Sequence, residues 1–314
     1  MTIDDSLRAV EELMLSVTRS SVPLLSETTA HILGAGGKRL RPHLVLLAYE
    51  AVGGSDASYV IPLAAAVEII HTATLVHDDI NDHGTLRRGR ETVNARWGTT
   101  FALLTGDYMF TKTYQIMAPY PTDLNLILTK ACIQLVEGET LQIQASKRGV
   151  LDRDTYFEII SKKTAALFVA CAKLGAAAAG AAPEWIEALG QFAFNLGLAF
   201  QITDDVLDLV ADARQLGKNT GVDRPQGRGI AAVHGDGRGK RAAPGTTVAE
   251  SSAILSIVQE SLPENYTLDA AVQLGRKQAR ALADTASAYL DVLPPSPAVD
   301  QLRALAYQAV ERDH

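Results

Sequence analysis

Apolar residues recur along nearly the whole chain at intervals of three and four, the spacing that gathers one face of an α-helix. Alanine and leucine dominate these runs, and the β-branched alternation of a strand is scarce. The stretch "YVIPLAAAVEIIHTATLVHDDIND" is apolar on nearly all sides, as a buried helix is. "TTFALLTGDYMFTKTYQIMA", "LILTKACIQLVEGETLQIQA", "DTYFEIISKKTAALFVACAKLGAAAAG" and "EWIEALGQFAFNLGLAFQITDDVLDLV" continue the pattern. "RPHLVLLAYEAV" opens with Pro42, suited to a first helical position, while Gly98, Gly180 and Pro183 punctuate junctions. The expectation is an all-α fold in a single domain over residues 1–314. One stretch breaks the texture: "VDRPQGRGIAAVHGDGRGKRAAPGTT", residues 222–247, is rich in Gly and Arg and has no helical period. A structureless loop of that length is unusual inside a compact domain.

Composition narrows the function classes. A net charge of −7 disfavours nonspecific nucleic-acid binding, so an anionic substrate must be caught by local cations. Cys132 and Cys171 lie in apolar helical runs and read as reduced core thiols. The stretch "MTIDDSLRAVEEL" is acidic and amphipathic, unlike a signal peptide. No apolar run is read as approaching the roughly 20 residues that span a bilayer. A cytoplasmic protein without a transmembrane segment is expected.

Two acidic clusters carry the candidate chemistry. Asp78 and Asp82 are four apart, so they share a helix face, with Asp79 between them. Like charges at that spacing destabilise a helix by roughly 0.2–0.5 kcal/mol, and a bound divalent cation reverses the sign. Oxygen-only ligands favour Mg²⁺, which keeps waters and bridges carboxylates to substrate phosphates. "FQITDDVLDLV" repeats the device as Asp204, Asp205 and Asp208, with Gln201 three residues before Asp204. Read alone, either cluster fits a solvated acidic helix end. Together they read as two walls of one metal site. Lys38 and Arg41 sit in a glycine-rich turn before a helix, a ready anion site. Arg87 and Arg88 follow the first cluster through a short Gly-containing turn. His71 lies two helical turns before Asp78, where a core histidine is the plainer reading. Lys163, Thr164 and Lys218 fit surface positions equally well when taken singly. The collection suits a greasy substrate whose leaving group is a diphosphate.

At this point the chain resembles the trans-isoprenyl diphosphate synthases, the polyprenyl synthetase family. The carrying stretches are "GGKRLRP", "EIIHTATLVHDDINDHGTLRRG", "NARWGTTFALLTGDY", "VEGETLQI", "KKTAAL" and "FQITDDVLDLVADARQLGKNTGVD". The resemblance covers roughly residues 5–223 and resumes near the C-terminal helices. It implies helices around a central apolar cavity, a homodimer, and a soluble enzyme whose product is delivered to a membrane. By the same resemblance, Asp78, Asp82, Asp204 and Asp208 bind Mg²⁺, with Asp79 and Asp205 in support. Lys38, Arg41, His71 and Arg88 match positions that hold isopentenyl diphosphate. Arg87, Lys163, Thr164, Gln201 and Lys218 match positions near the allylic diphosphate. Small Ala73 and Thr74, one turn before Asp78, imply a long product.

The family normally continues after "GVD" through a signature like Leu-Arg-x-Gly-Lys-x-Thr-Leu-Pro into a helix, which residues 222–247 do not match. A natural insertion and a local shift of reading frame both fit. "PQGRGIA" encoded CCG CAA GGG CGT GGC ATT GCC and read one base later gives Arg-Lys-Gly-Val-Ala-Leu-Pro. Rival functions are an inactive or noncatalytic partner subunit of a heteromeric prenyl synthase, and a terpene cyclase, against which "DDVLD" argues. A di-iron bundle would need Glu-x-x-His pairs, which the sequence lacks.

Overall fold

The computed structural model describes residues 2–148, 151–218 and 268–312. Segment 222–247 lies outside them. The chain divides into two compact units. The first comprises Met1–Lys130, Ala170–Gly190 and Val292–Leu302, and the second Ala131–Val169, Gln191–Asp291 and Arg303–His314.

The first unit begins with α1 (Ile3–Val17) and α2 (Pro23–Leu33). Thr2 and Asp5 form a reciprocal capping box at the start of α1, satisfying two orphan amides. The next helix, α3 (Leu40–Ala51), starts two residues earlier than Pro42 suggested. Its N-cap, Arg39, adopts the left-handed conformation (φ 46°, ψ 36°), so the chain turns into the helix before the proline is reached. Leu44, Val45, Leu46 and Leu47 are all at most 2% exposed, and each contributes roughly 1.5–3 kcal/mol by burial.

Helix α4 (Ala57–Asn81) is capped by Asp56, whose carboxylate accepts from the Ser58 amide. Contrary to the expectation from sequence, α4 is long and apolar enough to cross a membrane by length and composition. Its most apolar window is 67% buried inside the structure, as a core helix requires. An unexpected antiparallel pair, β1 (Leu86–Arg87) and β2 (Arg90–Glu91), follows. Helices α5 (Val93–Trp97) and α6 (Thr99–Met117) come next.

Helix α7 (Thr122–Arg148) leads into the second unit. After α8 (Arg153–Ile160) the chain widens into a π-helical turn, Ser161–Ala165, before α9 (Ala166–Ala178). The long α10 (Pro183–Lys218), α11 (Leu268–Tyr289) and α12 (Pro297–Val310) complete the described elements. The second unit's core gathers Tyr156, Ile160 and Ala165 with Leu198, Ile202, Val206 and Leu209 of α10 and Ala271, Val272 and Ala279 of α11. One face of α10 is thereby buried from residue 198 to residue 209, which fixes how its aspartates are displayed.

Candidate functional site

In the first unit the acidic group closes α4. Asp78 and Asp79 lie in its last turn, and Asp82 is the C-cap. Only Asp79 is buried, at 3% exposure; Asp78 is half-buried and Asp82 exposed. The turn between β1 and β2 places Arg88 and Gly89 at positive φ (50° and 74°), the signature of a tight hairpin. This hairpin returns Arg87 to the helix end. Its Nε lies 3.0 Å from both Asp79 oxygens, and Nη2 lies 3.0 Å from Oδ1. The cation that follows the acidic cluster therefore neutralises its inner member.

Arg88 extends from the same hairpin and donates to the Gly36 carbonyl, joining the "GAGGKR" turn. Lys38 is exposed on that turn, and Arg41 stands in the first turn of α3. Beneath them lies a residue that the sequence reading passed over. Glu68 is 3% exposed and accepts from Arg39 Nη1 at 3.1 Å, while Arg39 Nε donates to Glu11 at 2.8 Å. Burial pushes the Glu68 carboxyl up, against the opposing pull of Arg41, Arg39 and Arg88. A lone acid in the apolar run of α4 was the available signal. His71 lies three residues further on. Desolvation, reinforced by Arg41, Arg88, Arg87 and Arg39, holds its imidazole well below the ordinary range. It is neutral at pH 7 and surrounded by guanidinium groups. Four sequence-predicted residues, Arg41, His71, Arg87 and Arg88, thus share one electrostatic neighbourhood. Ala73 is fully buried, and the Thr74 hydroxyl is turned onto the His71 carbonyl at 2.8 Å.

In the second unit, α10 carries Gln201, Asp204, Asp205 and Asp208. Asp208 is exposed, and the Asp204 side chain is 37% exposed. Arg312, which the sequence did not single out, places Nη2 2.9 Å from Asp204 Oδ1 and stacks its guanidinium 4.3 Å from the Phe200 ring centroid. Asp205 turns inward. It accepts from the Tyr156 hydroxyl and, at 3.0 Å, from Gln201 Nε2. The Gln201 carbonyl in turn accepts from the Thr164 hydroxyl at 2.7 Å. Burial pushes the Asp205 carboxyl up to about 7, although both hydrogen bonds pull the other way. Burial and the neighbouring Asp205 hold the Tyr156 phenol well above its usual range, so it keeps its proton.

Lys163 and Thr164 belong to the π-turn, a feature invisible to a simple helical reading and frequent at functional sites. Two glycines make room for it. A Cβ on Gly138 would stand 2.5 Å from the Lys163 nitrogen, and one on Gly197 would stand 2.7 Å from the Ala165 Cα. Lys163 pairs with Glu139, one residue beyond the first of these notches. The side chain of Lys218 lies outside the described residues.

The donor chemistry of both clusters is carboxylate oxygen alone. Among the described residues no three His, Cys, Asp or Glu side chains converge on a closed metal cage. Carboxylate oxygens suit Mg²⁺, a hard cation that uses one or two carboxylates and completes its shell with water and substrate phosphate.

Comparison with known proteins agrees with the fold and the family resemblance. Residues 22–233 match the family model of the polyprenyl synthetases. The chain is 38% identical to heptaprenyl diphosphate synthase component 2 of Geobacillus stearothermophilus, over 99% of this chain and 97% of that one. It is 35% identical to octaprenyl diphosphate synthase of Escherichia coli (strain K12), over 98% and 96%. A crystal structure of polyprenyl synthase from Caulobacter crescentus CB15, complexed with calcium and isoprenyl diphosphate, superposes with a TM-score of 0.81 at 30% identity, over 99% of this chain and 96% of that one.

Proposed function

The chain belongs to the polyprenyl synthetase family and is a prenyltransferase, and we propose that it condenses isopentenyl diphosphate with an allylic diphosphate to build a medium- or long-chain all-trans polyprenyl diphosphate. One observation carries this reading. In both aspartate motifs the inner carboxylate is turned inward onto protein partners, while the outer two stand four residues apart on one helix face, the first half-buried and the second exposed. Carboxylates paired at that spacing suit a hard divalent cation.

Asp78, Asp82, Asp204 and Asp208 would hold Mg²⁺. When bound, the metal would supply positive charge against the departing diphosphate. The remaining steps belong to the chain and its substrates. Lys38, Arg41 and Arg88 bind the diphosphate of isopentenyl diphosphate, and neutral His71 adds an N–H donor without repelling the arginines around it. Arg87, Lys163 and Lys218 serve the allylic diphosphate. The allylic C–O bond breaks, and its electron pair leaves with the diphosphate. The π bond of isopentenyl diphosphate attacks the cation, and a proton then departs to the released diphosphate. Thr164 and Gln201 orient dipoles toward the positive carbon. Ala73 and Thr74 are too small to stop a growing chain near the first acidic cluster.

Assembly as a homodimer belongs to the same reading. On α7, Leu126, Ile133, Val136 and Ile143 are 51%, 54%, 61% and 37% exposed and recur at heptad spacing, the seam of a helix–helix interface. The reading also places the enzyme in the cytoplasm. A second reading rests on the relative named as a component: the chain would be a partner subunit, inactive alone.

Incubation of the purified chain with Mg²⁺, farnesyl or geranylgeranyl diphosphate and radiolabelled isopentenyl diphosphate separates these readings. Products several isoprene units longer than the primer are expected. Products that stop one isoprene unit beyond the primer would overturn the chain-length proposal. No product from a folded protein would favour the partner subunit.

A further inference from the structure

Building on the proposed prenyl transfer, we infer that Tyr156 is a positioning residue that sets the polarity of a hydrogen-bond chain ending at Thr164. The chain runs through four side chains of the second unit. Tyr156 is fully buried and packs among Ile160, Ile202 and Val206. Its hydroxyl donates to one oxygen of Asp205, whose other oxygen accepts from Gln201 Nε2 at 3.0 Å. The Gln201 amide thus turns its nitrogen toward Asp205 and its oxygen toward Thr164. That oxygen takes the Thr164 proton at 2.7 Å. A hydroxyl has one proton. With it committed to Gln201, Thr164 can offer a third group nothing but lone pairs.

The consequence concerns what Thr164 can recognise. Thr164 in this state cannot donate to a phosphate oxygen. It presents the negative end of a dipole, which suits a carbocation. Tyr156 touches no substrate in this scheme. Its hydroxyl holds Asp205 in the one orientation that keeps the amide and the hydroxyl pointing this way. Thr164 itself sits in the π-turn, closed in by Gly138 and Gly197, which holds the far end. An aromatic ring with its oxygen removed would still fill the core, so the hydroxyl can be tested separately from the packing.

Steady-state turnover with Mg²⁺, farnesyl diphosphate and isopentenyl diphosphate is measured for wild type, Tyr156→Phe, Gln201→Met and the double variant. Tyr156→Phe should lower kcat by roughly tenfold, the size of one hydrogen bond to a charged group. Both KM values should stay within about twofold, since only the transition state is affected. In the Gln201→Met background the same change should have little further effect, because the chain is already broken. Thermal unfolding of each variant checks the fold, and should Tyr156→Phe not fold, Asp205→Asn enters the same cycle. Unchanged kcat in Tyr156→Phe, a loss confined to KM, or effects that multiply in the double variant would each overturn the inference. A folded wild type without product overturns the proposed activity itself, and this inference with it.

Discussion

The two aspartate motifs share a spelling and differ in how they handle their inner carboxylate. Asp79 meets a guanidinium, with three contacts of 3.0 Å from Arg87. Asp205 meets a phenol and an amide. The first solution leaves an ion pair at the end of α4, with Arg87 still 29% exposed. The second leaves a buried carboxyl displaced up to about 7. The difference teaches that the same five-residue pattern can be stabilised by charge compensation or by oriented dipoles. What the two copies have in common is an outer pair four residues apart whose second member is exposed, and that is where the shared chemistry belongs.

The largest test of this contrast separates outer from inner positions. Asp82→Asn and Asp208→Asn should each lower kcat on the order of a thousandfold, the scale of removing one preorganised electrostatic group, while leaving thermal unfolding nearly unchanged. A comparable loss of stability in either variant would mean that the outer carboxylates serve the fold. The inner positions should behave in the opposite sense and unequally. Asp79→Asn strips Arg87 of its counter-charge and should cost about 2 kcal/mol in urea unfolding at pH 8, the range for hydrogen bonds to charged groups. Asp205→Asn relieves a desolvated charge and should stay within about 1 kcal/mol of wild type at the same pH. Equal costs would erase the distinction between the two motifs.

Much of this was legible in the sequence, and the parts that were not have physical reasons. The helical pattern survives because α4 is buried on nearly every side and α10 on one face, and the spacing of Asp78 with Asp82 and of Asp204 with Asp208 follows directly from the helix repeat. The hairpin that returns Arg87 to Asp79 could not be read that way. It depends on positive φ at Arg88, a conformation arginine does not advertise. The π-turn at Lys163 and Thr164 likewise leaves the apolar pattern intact and is betrayed only by Gly138 and Gly197, which lie far from it in sequence. Glu68, Tyr156 and Arg312 were missed for a common reason. Each acts on a motif residue from another stretch of chain or another turn, and a motif search sees only its own stretch.

The smallest expected effect probes the positive field that distinguishes the first unit. His71 titrates from an ordinary value of 6.5 when unfolded, and desolvation followed by Arg41, Arg88, Arg87 and Arg39 depresses it in the fold. The sign follows by linkage. Above pH 6.5 both states carry a neutral ring, and His71 has no titration cost. As pH falls below that value the unfolded chain binds a proton that the folded protein refuses, so stability is lost. His71→Gln cannot bind that proton in either state. Urea unfolding of wild type and variant at pH 8 and pH 5.5 should therefore show the wild type losing ground to the variant at the lower pH. His43, whose imidazole is also depressed by burial, is common to both proteins and cancels in the difference. A gap that stays constant with pH would mean that the folded imidazole protonates as readily as the unfolded one. The arginines would then not surround it as the structure places them, and the first unit would lose the charge compensation that sets it apart from the second.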